Sequence, residues 1–398
     1  MMTEPASSPV SKYVTTPMLR AKFSKWREST TTSPSRLHLG HWRAISVDYK
    51  EAYNEETAEK IRAIQEYILQ VHANLINYAL KWNYAYERWR TIITLMIFKE
   101  VGNIMIHRLR VIHLYEADFS ALLGIKWREL TFHLFKNKMI EEGLYGSVPT
   151  KLCQDPVLLA ELQYEISRCS RRSYAEGKAD ASGCYDNILP CLTSAISQHN
   201  GMPATICILY ASTLEQAKYY LKVMFNVSDR WYQHSSITPI FGNGQGSTNL
   251  PNAWLFISNK IVKCYKHQAH GAVYSDPEEH HKIAIHIAGF VDDKTLFSNC
   301  FYCLDTEVEE VISRLKEDTQ LFSNLLWATG GAMEPRKCNY SVLHWKFRDD
   351  GTPYVDMQEH PQVQIHSADG KQIISKVKYM MPDASSKYLG HYKDLMGN

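Results

Sequence analysis

The feature that most restricts how this chain can fold is a pair of adjacent carboxylates, Asp292-Asp293, between two apolar segments. The flanking residues 283–291 and 294–297 are short and rich in β-prone side chains, so they predict two strands joined by a turn at the acids. Two like charges in one turn repel each other, and a divalent cation bound by the two carboxylates would offset the repulsion. A surface turn with two solvated acids is the alternative that this local pattern leaves open.

A second acidic segment, residues 178–186, contains Asp180, Tyr185 and Asp186. Its pattern predicts a strand that ends near Asp180, after which the chain turns into a helix containing Ile188 and Leu189. Together with Asp292-Asp293, Asp180 supplies the carboxylates that two magnesium ions need for in-line nucleotidyl transfer. In that chemistry one ion lowers the pKa of a primer 3′-hydroxyl, and the other holds the triphosphate and stabilises the leaving pyrophosphate.

A third segment, residues 241–251, carries three glycines around Gln245. Glycine lets the backbone approach a ligand closely. An apolar stretch that predicts a helix follows, which suits a loop lying against a templating base and an incoming nucleotide. An ordinary β-turn connection is the alternative, because glycine spacing alone does not decide between them.

Taken in chain order, these segments resemble the motifs of reverse transcriptases, especially those of non-LTR-type retroelements. Residues 180–186 resemble the first palm motif, Asp-x4-aromatic-Asp, and residues 245–251 resemble the Gln-Gly-Ser-x-x-Ser-Pro motif. Residues 290–293 resemble the aromatic-x-Asp-Asp motif. Three matches in the order of the family are far more specific than any one of them.

Further segments extend the resemblance over nearly the whole chain. Lys99 and Arg110, with Val111 in place of proline, resemble the fingers motif that ends in Arg-Pro-Ile. Residues 33–41 resemble the segment upstream of it, residues 330–338 the fourth palm motif, and residues 388–390 the Tyr-Leu-Gly that leads toward the primer-gripping region.

The resemblance implies a site and its ligands. Asp180 and Asp292 would bind two Mg²⁺ ions, for which Mn²⁺ could substitute, with Asp293 as the supporting acid. The other implied roles are proton donation to pyrophosphate by Lys337, triphosphate contacts by Arg110 and Lys99, a steric gate against ribonucleotides at Tyr185, and nucleotide or template contacts by Gln245 and Gly246. The implied partners are an RNA or DNA template with its primer and deoxynucleoside triphosphates.

The alternation of helical and strand-like segments predicts an α+β fold, a sheet backed by helices. The resemblance implies a right-hand polymerase with an antiparallel palm sheet and with the thumb largely absent. Hydrophobic spacing predicts helices over residues 61–78, 155–166 and 308–325, the last ending at Gly330-Gly331. The expected domains are a flexible basic leader (1–35), an N-terminal helical region with the fingers (36–178), a palm with the catalytic motifs (179–345) and a truncated β-rich segment leading to the primer grip (346–398).

Composition limits how such a chain could hold nucleic acid. The net charge is only +2 over 398 residues, so local basic patches would have to grip the phosphates. One early patch interleaves tryptophans with basic residues: Arg20, Lys22, Lys25, Trp26, Arg27, Arg36, Trp42 and Arg43. A solvated leader is its alternative interpretation. Nine scattered cysteines and the lack of an apolar run of about 20 residues predict a soluble intracellular protein, in the nucleus or the cytoplasm.

Several departures from the family pattern keep other functions open. Val148 and Thr150 are neutral where relatives carry basic residues, Leu250 replaces a serine, and the chain stops at Asn398 without a thumb. These departures predict a polyprotein fragment or a decayed copy, so a catalytically decayed nucleic-acid-binding palm is the first alternative. A viral RNA-dependent RNA polymerase is the second, and the Gln-Gly loop and Tyr185 disfavour it.

Overall fold

The structure is a computed structural model that describes residues 8–27, 34–48, 54–99, 101–103, 105, 109–223, 226–235, 240, 242–276, 278, 280–300, 308–367, 374–389 and 391–396. The helices are α1 (Thr16–Phe23), α2 (Leu39–Ala44), α3 (Glu55–Trp82), α4 (Ala117–Lys136), α5 (Gln154–Ser170), α6 (Pro190–His199), α7 (Ala204–Glu215), α8 (Leu250–Lys266) and α9 (Val308–Trp327). The strands before Asp292 are β1 (Thr91–Phe98), β2 (Leu109–Leu114), β3 (Tyr174–Ser182), β4 (Lys218–Val223), β5 (Asn226–Tyr232), β6 (Ala272–Ser275), β7 (Lys282–Ile285) and β8 (Ile287–Phe290). Those that follow are β9 (Asp293–Asn299), β10 (Ala332–Met333), β11 (Asn339–Leu343), β12 (Trp345–Phe347), β13 (Pro353–Val355), β14 (Val363–His366), β15 (Ile374–Tyr379), β16 (Ser386–Tyr388) and β17 (His391–Lys393).

The chain forms two compact units, the first made of residues 1–137 and 188–253 and the second of residues 138–187 and 254–398. The ranges 36–178 and 179–345, expected from sequence as successive domains, therefore each contribute to both units. No helix within the described residues is long and apolar enough to cross a membrane.

The first unit is built on a four-stranded sheet in the order β2-β1-β4-β5. Strands β1 and β2 form an antiparallel hairpin, whereas β4 returns parallel to β1 with Lys218 opposite Thr91. Helix α4 is buried on most of its surface, and its Trp127 ring meets the Tyr210 ring of α7 edge-on at 5.3 Å. Full burial of a large apolar side chain contributes roughly 1.5–3 kcal/mol, so α4 anchors the core of this unit.

The second unit contains a seven-stranded sheet in the order β14-β15-β11-β3-β9-β8, with β10 pairing β3 as well. Pairing is antiparallel except between β11 and β15. Helix α9 packs on β3 and β9, and Gly177 of β3 leaves room for Leu315 of that helix. The predicted α+β class is confirmed at this coarse level, with an antiparallel strand arrangement around β3 and a helix against it.

The predicted helix over residues 61–78 is present as α3, and the Asn54 side chain caps it by accepting a hydrogen bond from Thr57 N at 2.8 Å. However, several of the apolar residues whose spacing predicts this helix, Ile64 and Tyr78 among them, do not lie on its buried face. Ile64 is 60% exposed and Tyr78 54% exposed, while Leu69 and Ile76 are buried.

Helix α5 shows the same discrepancy. It begins at Gln154, one residue before the predicted start, so Asp155 lies in its first turn, where the carboxylate accepts a hydrogen bond from Leu152 N at 2.8 Å. Leu162 is 51% exposed, whereas Ala160 and Tyr164 are buried. Helix α9 follows its prediction more closely, since it ends at Trp327 and Gly331 N closes its last turn on the Leu326 carbonyl at 3.1 Å.

Candidate active site

The predicted acids of the second unit come together at one end of its sheet. Strand β3 pairs with β9 so that Asp180 lies directly opposite Asp293. Cross-strand partners have Cα atoms roughly 4.5–5.5 Å apart, close enough for their side chains to interact. Asp292 occupies the turn between β8 and β9, next to Asp293. The hairpin predicted around the pair is therefore present, with strand β8 covering its first arm only from Ile287.

The three carboxylates carry the electrostatic cost that the sequence predicted. Burial, and then the charges of Asp292 and Asp180, raise the pKa of Asp293 above its usual range. The Lys337 ammonium partly neutralises the negative charge of the three carboxylates, because its Nζ lies 2.8 Å from Asp180 Oδ2. The hydrogen bond to Asp180 in turn raises the pKa of Lys337.

Backbone hydrogen bonds place Lys337 beside Asp180. Glu334 N donates to the Asp180 carbonyl at 2.9 Å, and Lys337 N donates to the Glu334 carbonyl at 2.9 Å. The turn that contains Lys337 is thus tied to the strand that carries Asp180. The lysine side chain remains 65% exposed, against 18% for the aspartate.

The turn that presents Asp292 is strained at Val291, whose φ is +54°. A left-handed conformation costs a β-branched residue roughly 1–2 kcal/mol, and such strain persists only where neighbouring groups hold it. Here two side chains hold the Val291 carbonyl: Trp254 Nε1 donates to it at 2.5 Å, and Lys294 Nζ also donates to it. Lys294 lies over the Trp254 ring at 5.6 Å, and burial lowers the pKa of this lysine to about 8.

Residues 143–146 support the same turn from another side. Tyr145 N donates to the Gly289 carbonyl at 2.9 Å, and Gly289 N donates to the Gly143 carbonyl at 2.7 Å. A Cβ on Gly146 would overlap the backbone nitrogen of Val291, so only glycine fits there. Sequence reasoning missed these supporting residues. Lys294, a lysine directly after the paired acids, was the one local signal that the turn has a supporting partner.

A tight turn after β3 presents Tyr185. Gly183 has φ +51°, and its carbonyl accepts hydrogen bonds from Asp186 N at 2.8 Å and Asn187 N at 3.0 Å. Burial, with the neighbouring Cys184 and Asp292, raises the pKa of Tyr185, so its hydroxyl stays protonated. The sequence predicted that the chain then turns into a helix containing Ile188 and Leu189. This prediction is wrong, because the chain stays in the turn and α6 begins only at Pro190.

The carboxylates fit a magnesium site in which substrate phosphates and waters supply the remaining oxygen ligands. Among the described residues, no three His, Cys, Asp or Glu side chains are arranged to hold a metal ion by themselves. Magnesium, however, is usually bound by one or two carboxylates together with waters and substrate phosphates. Asp180 and Asp292 are two such carboxylates, of which Asp180 is paired with Lys337 in this structure.

The other predicted site residues lie in the first unit. Arg110 is an exposed residue of β2, opposite Ile97 in the hairpin, and Lys99 follows the end of β1 and is exposed as well. Gln245 lies beside the other end of β2, where its backbone carbonyl accepts a hydrogen bond from His113 N at 2.6 Å.

Gly246 is required by the path of this loop. It has φ +111°, and a Cβ at this position would overlap the His113 carbonyl. Burial lowers the pKa of His113 to about 4, so its ring is neutral where it contacts Thr94 Oγ1 at 3.2 Å. Buried Asn243 accepts a hydrogen bond from the Tyr210 hydroxyl and donates one to Thr193 Oγ1, both at 2.9 Å. The glycine-rich loop is thus a fixed structure packed on β2 rather than an open connection.

No family model matches the chain, and no curated protein matches it either. Among solved structures, the chain is similar to apo telomerase from Candida tropicalis truncated from its C-terminal domain, with 12% identity and a TM-score of 0.41 over 75% of this chain and 58% of that one. Telomerase from the same organism, in complex with a TWJ fragment of telomeric RNA, is similar at 12% identity and a TM-score of 0.42, over 77% of this chain and 56% of that one. The chain thus spans less than two thirds of either telomerase, and at such TM-scores neither match decides fold or function.

Proposed function

We propose that this chain is an RNA-directed DNA polymerase, which adds deoxynucleotides to a primer 3′-hydroxyl by nucleotidyl transfer. The observation that carries the proposal is the direct pairing of Asp180 with Asp293 beside the strained turn that presents Asp292. Paired acids are costly unless a cation joins them, and strain of this kind is concentrated at functional sites.

In this proposal Asp180 and Asp292 hold two Mg²⁺ ions, for which Mn²⁺ can substitute, and Asp293 is the supporting acid. The ions would lower the pKa of the primer 3′-hydroxyl and stabilise the charge on the leaving pyrophosphate. Trp254 and Lys294 hold the Val291 carbonyl and thereby orient Asp292. Lys337 keeps its proton beside Asp180 and can give it to the leaving group.

The residues of the first unit are proposed as contacts to the deoxynucleoside triphosphate and the template. Arg110 and Lys99 are exposed cations suited to phosphate oxygens, Arg110 with the option of two parallel hydrogen bonds. Gln245 and Gly246 lie on a loop whose backbone is fixed against β2, as contact with a base requires. The RNA or DNA template with its primer is the proposed partner.

The wider assignments remain part of the same proposal. They are an origin in a non-LTR-type retroelement, fingers over residues 36–178, a palm over 179–345, and a segment leading to the primer grip over 346–398. A decayed, nucleic-acid-binding palm is the second candidate. The observation in its favour is the Lys337–Asp180 ion pair, which occupies a carboxylate needed for the metal.

The test is extension of a DNA primer on an RNA template by the purified chain, with Mg²⁺ and deoxynucleotides. We expect extension by the wild type and by Asp350→Ala, a matched change at an exposed turn outside the site, and none by Asp292→Ala. Equal extension by the wild type and Asp292→Ala would rule out this site. Binding of primer-template without any extension would favour the decayed palm.

Tyr185 gives a prediction on sugar selection. Its half-buried ring stands in the tight turn after β3, the strand that carries Asp180, and we propose that it blocks the path of a ribose 2′-hydroxyl. We expect Tyr185→Ala to add ribonucleotides about tenfold or more efficiently relative to deoxynucleotides, while Tyr185→Phe keeps the wild-type ratio. Single-nucleotide kcat/KM values for matched ribo- and deoxynucleotides measure it, and an unchanged ratio in Tyr185→Ala would remove the gate assignment.

A further inference from the structure

A basic groove lies between α1 and α4 in the first unit, and none of the residues assigned above to the reaction lines it. It has a volume of about 790 Å³. The side chains that give it its character are Lys22, Lys25, Trp26, Arg128, Phe132 and Lys136, and we call it the Lys22 groove.

The cations of the Lys22 groove are crowded and have no acidic partner. Burial, followed by the charges of Arg128 and Lys25, lowers the pKa of Lys22, so these groups lie within range of each other's repulsion. None of the four cations forms an ion pair with a carboxylate among the described residues. The one acid in the lining, Glu129, is already bound at 3.1 Å to the buried ammonium of Lys126. A bound anion such as a phosphate group would offset the repulsion among these four cations.

The Lys22 ammonium packs against Gly124. A Cβ built on this glycine, in the middle of α4, would overlap Lys22 Nζ and lie 3.0 Å from Thr248 Oγ1, so a larger residue there would displace the end of the lysine. Glycine within a helix costs roughly 1 kcal/mol relative to alanine. Gly124 therefore lowers the intrinsic stability of α4 at the position against which the Lys22 ammonium packs.

Aromatic rings alternate with the cations. Trp26 is held by Phe23, with ring centroids 4.8 Å apart, and its own ring remains partly exposed. The Arg128 guanidinium lies 5.3 Å from the centre of the exposed Phe132 ring. Arg128 and Lys136 are eight residues apart on α4, roughly 12 Å along the axis, which spans about three or four stacked nucleotides. Cations that follow a groove, with aromatic faces between them, are the combination that binds single-stranded nucleic acid.

We infer that the Lys22 groove binds a single strand of RNA or DNA, with phosphates on Lys22 and Arg128 and a base stacked on Trp26. The inference does not depend on the polymerase proposal, because no residue of the Lys22 groove is assigned to that reaction and the binding needs neither metal nor nucleotide.

The test is the binding of fluorescently labelled U12 and dT12 to the full chain in EDTA, followed by anisotropy from 50 to 300 mM salt. For Lys22→Gln with Arg128→Gln we expect affinity to fall about tenfold at 100 mM salt. The slope of log affinity against log salt should shrink by about 1.4, at about 0.7 for each lost phosphate contact. The matched control is Lys60→Gln with Lys81→Gln on the exposed surface of α3, which should bind as the wild type does.

Two further variants separate binding from folding. Gly124→Ala should keep or raise the melting temperature while it displaces Lys22 and weakens binding severalfold. Trp26→Leu should weaken binding about tenfold and leave the salt slope unchanged. Tighter binding of U12 or of dT12 identifies the natural strand. Equal losses in the groove and α3 variants, an unchanged salt slope in the double variant, or equal displacement by polyglutamate would overturn the inference. Asp292→Asn should bind like the wild type, so failure of the catalytic proposal leaves this result readable.

Discussion

Asp292→Asn should lower the rate of nucleotide addition on the order of 10³-fold or more, while primer-template binding stays within about twofold. A carboxylate that binds a catalytic metal ion contributes several kcal/mol to transition-state stabilisation, and each 1.36 kcal/mol is a factor of ten in rate. Asparagine keeps the size of the side chain but lacks the charge. Asp180→Asn should have a comparable effect, because Asp180 lies opposite Asp293 at the same end of the sheet.

Asp293→Asn is the matched comparison. As the supporting acid, Asp293 should cost less activity when neutralised, roughly 10- to 100-fold. Single-turnover extension at saturating Mg²⁺ measures all three variants against the wild type. A rate for Asp292→Asn within tenfold of the wild type, from a protein that still binds primer-template, would contradict the metal assignment.

The raised pKa of Asp293 also determines in which direction the stability of the metal-free protein changes with pH. Burial and the charges of Asp292 and Asp180 disfavour its ionised form in the folded protein. This group therefore favours the folded state below its unfolded pKa of about 3.8, and that contribution is lost as pH rises through the higher folded pKa. At neutral pH in EDTA, Asp293→Asn should melt slightly higher than the wild type, and Mg²⁺ should raise its melting temperature less. A lower melting temperature in EDTA would show that the repulsion is already compensated.

Asp118→Ala should destabilise the first unit by about 3 kcal/mol, the largest stability effect that we expect from a single substitution here. Asp118 is 0% exposed. Its carboxylate accepts hydrogen bonds from Arg88 Nη1 and Trp89 Nε1, both at 2.8 Å, and from Phe119 N at 2.9 Å. Alanine removes every one of these acceptors. Arg88 can turn toward solvent, whereas the buried Trp89 N–H keeps no partner among these contacts.

Urea unfolding followed by tryptophan fluorescence measures this loss. The control is Glu56→Ala, which removes an exposed ion pair with Lys60 on α3 and should change stability by no more than about 0.5 kcal/mol. Asp118→Asn, which retains one acceptor oxygen, should fall between the two. If Asp118→Ala unfolds within 1 kcal/mol of the control, the carboxylate is not the anchor that its contacts indicate.

The sequence determined that the candidate site has its acids and roughly where in the chain they stand. Adjacent aspartates between β-prone arms required a turn with concentrated charge, and Asp180 supplied a third acid at a strand end. Local rules sufficed because residue type and spacing specify strands, turns and helix ends. Helix α9 and its ending near Gly330 were predictable for the same reason.

Which surface of each element turns inward was decided only by tertiary structure. Apolar spacing predicted α3 correctly, yet the surface that packs inward buries Gln65, whose amide donates to the carbonyls of Ala44 at 2.8 Å and Val47 at 2.9 Å. These acceptors belong to the end of α2 and the residues after it, far from Gln65 in sequence, so periodicity could not reveal them.

The supports of the acidic turn were equally hidden. Trp254 and Gly146 meet Val291 from distant parts of the chain, and neither has a local signature. Neighbouring residues specify a turn through backbone preferences, but a strained turn persists only when partners from elsewhere hold it. Sequence thus supplied the charged groups, and long-range packing supplied the forces that keep them in place.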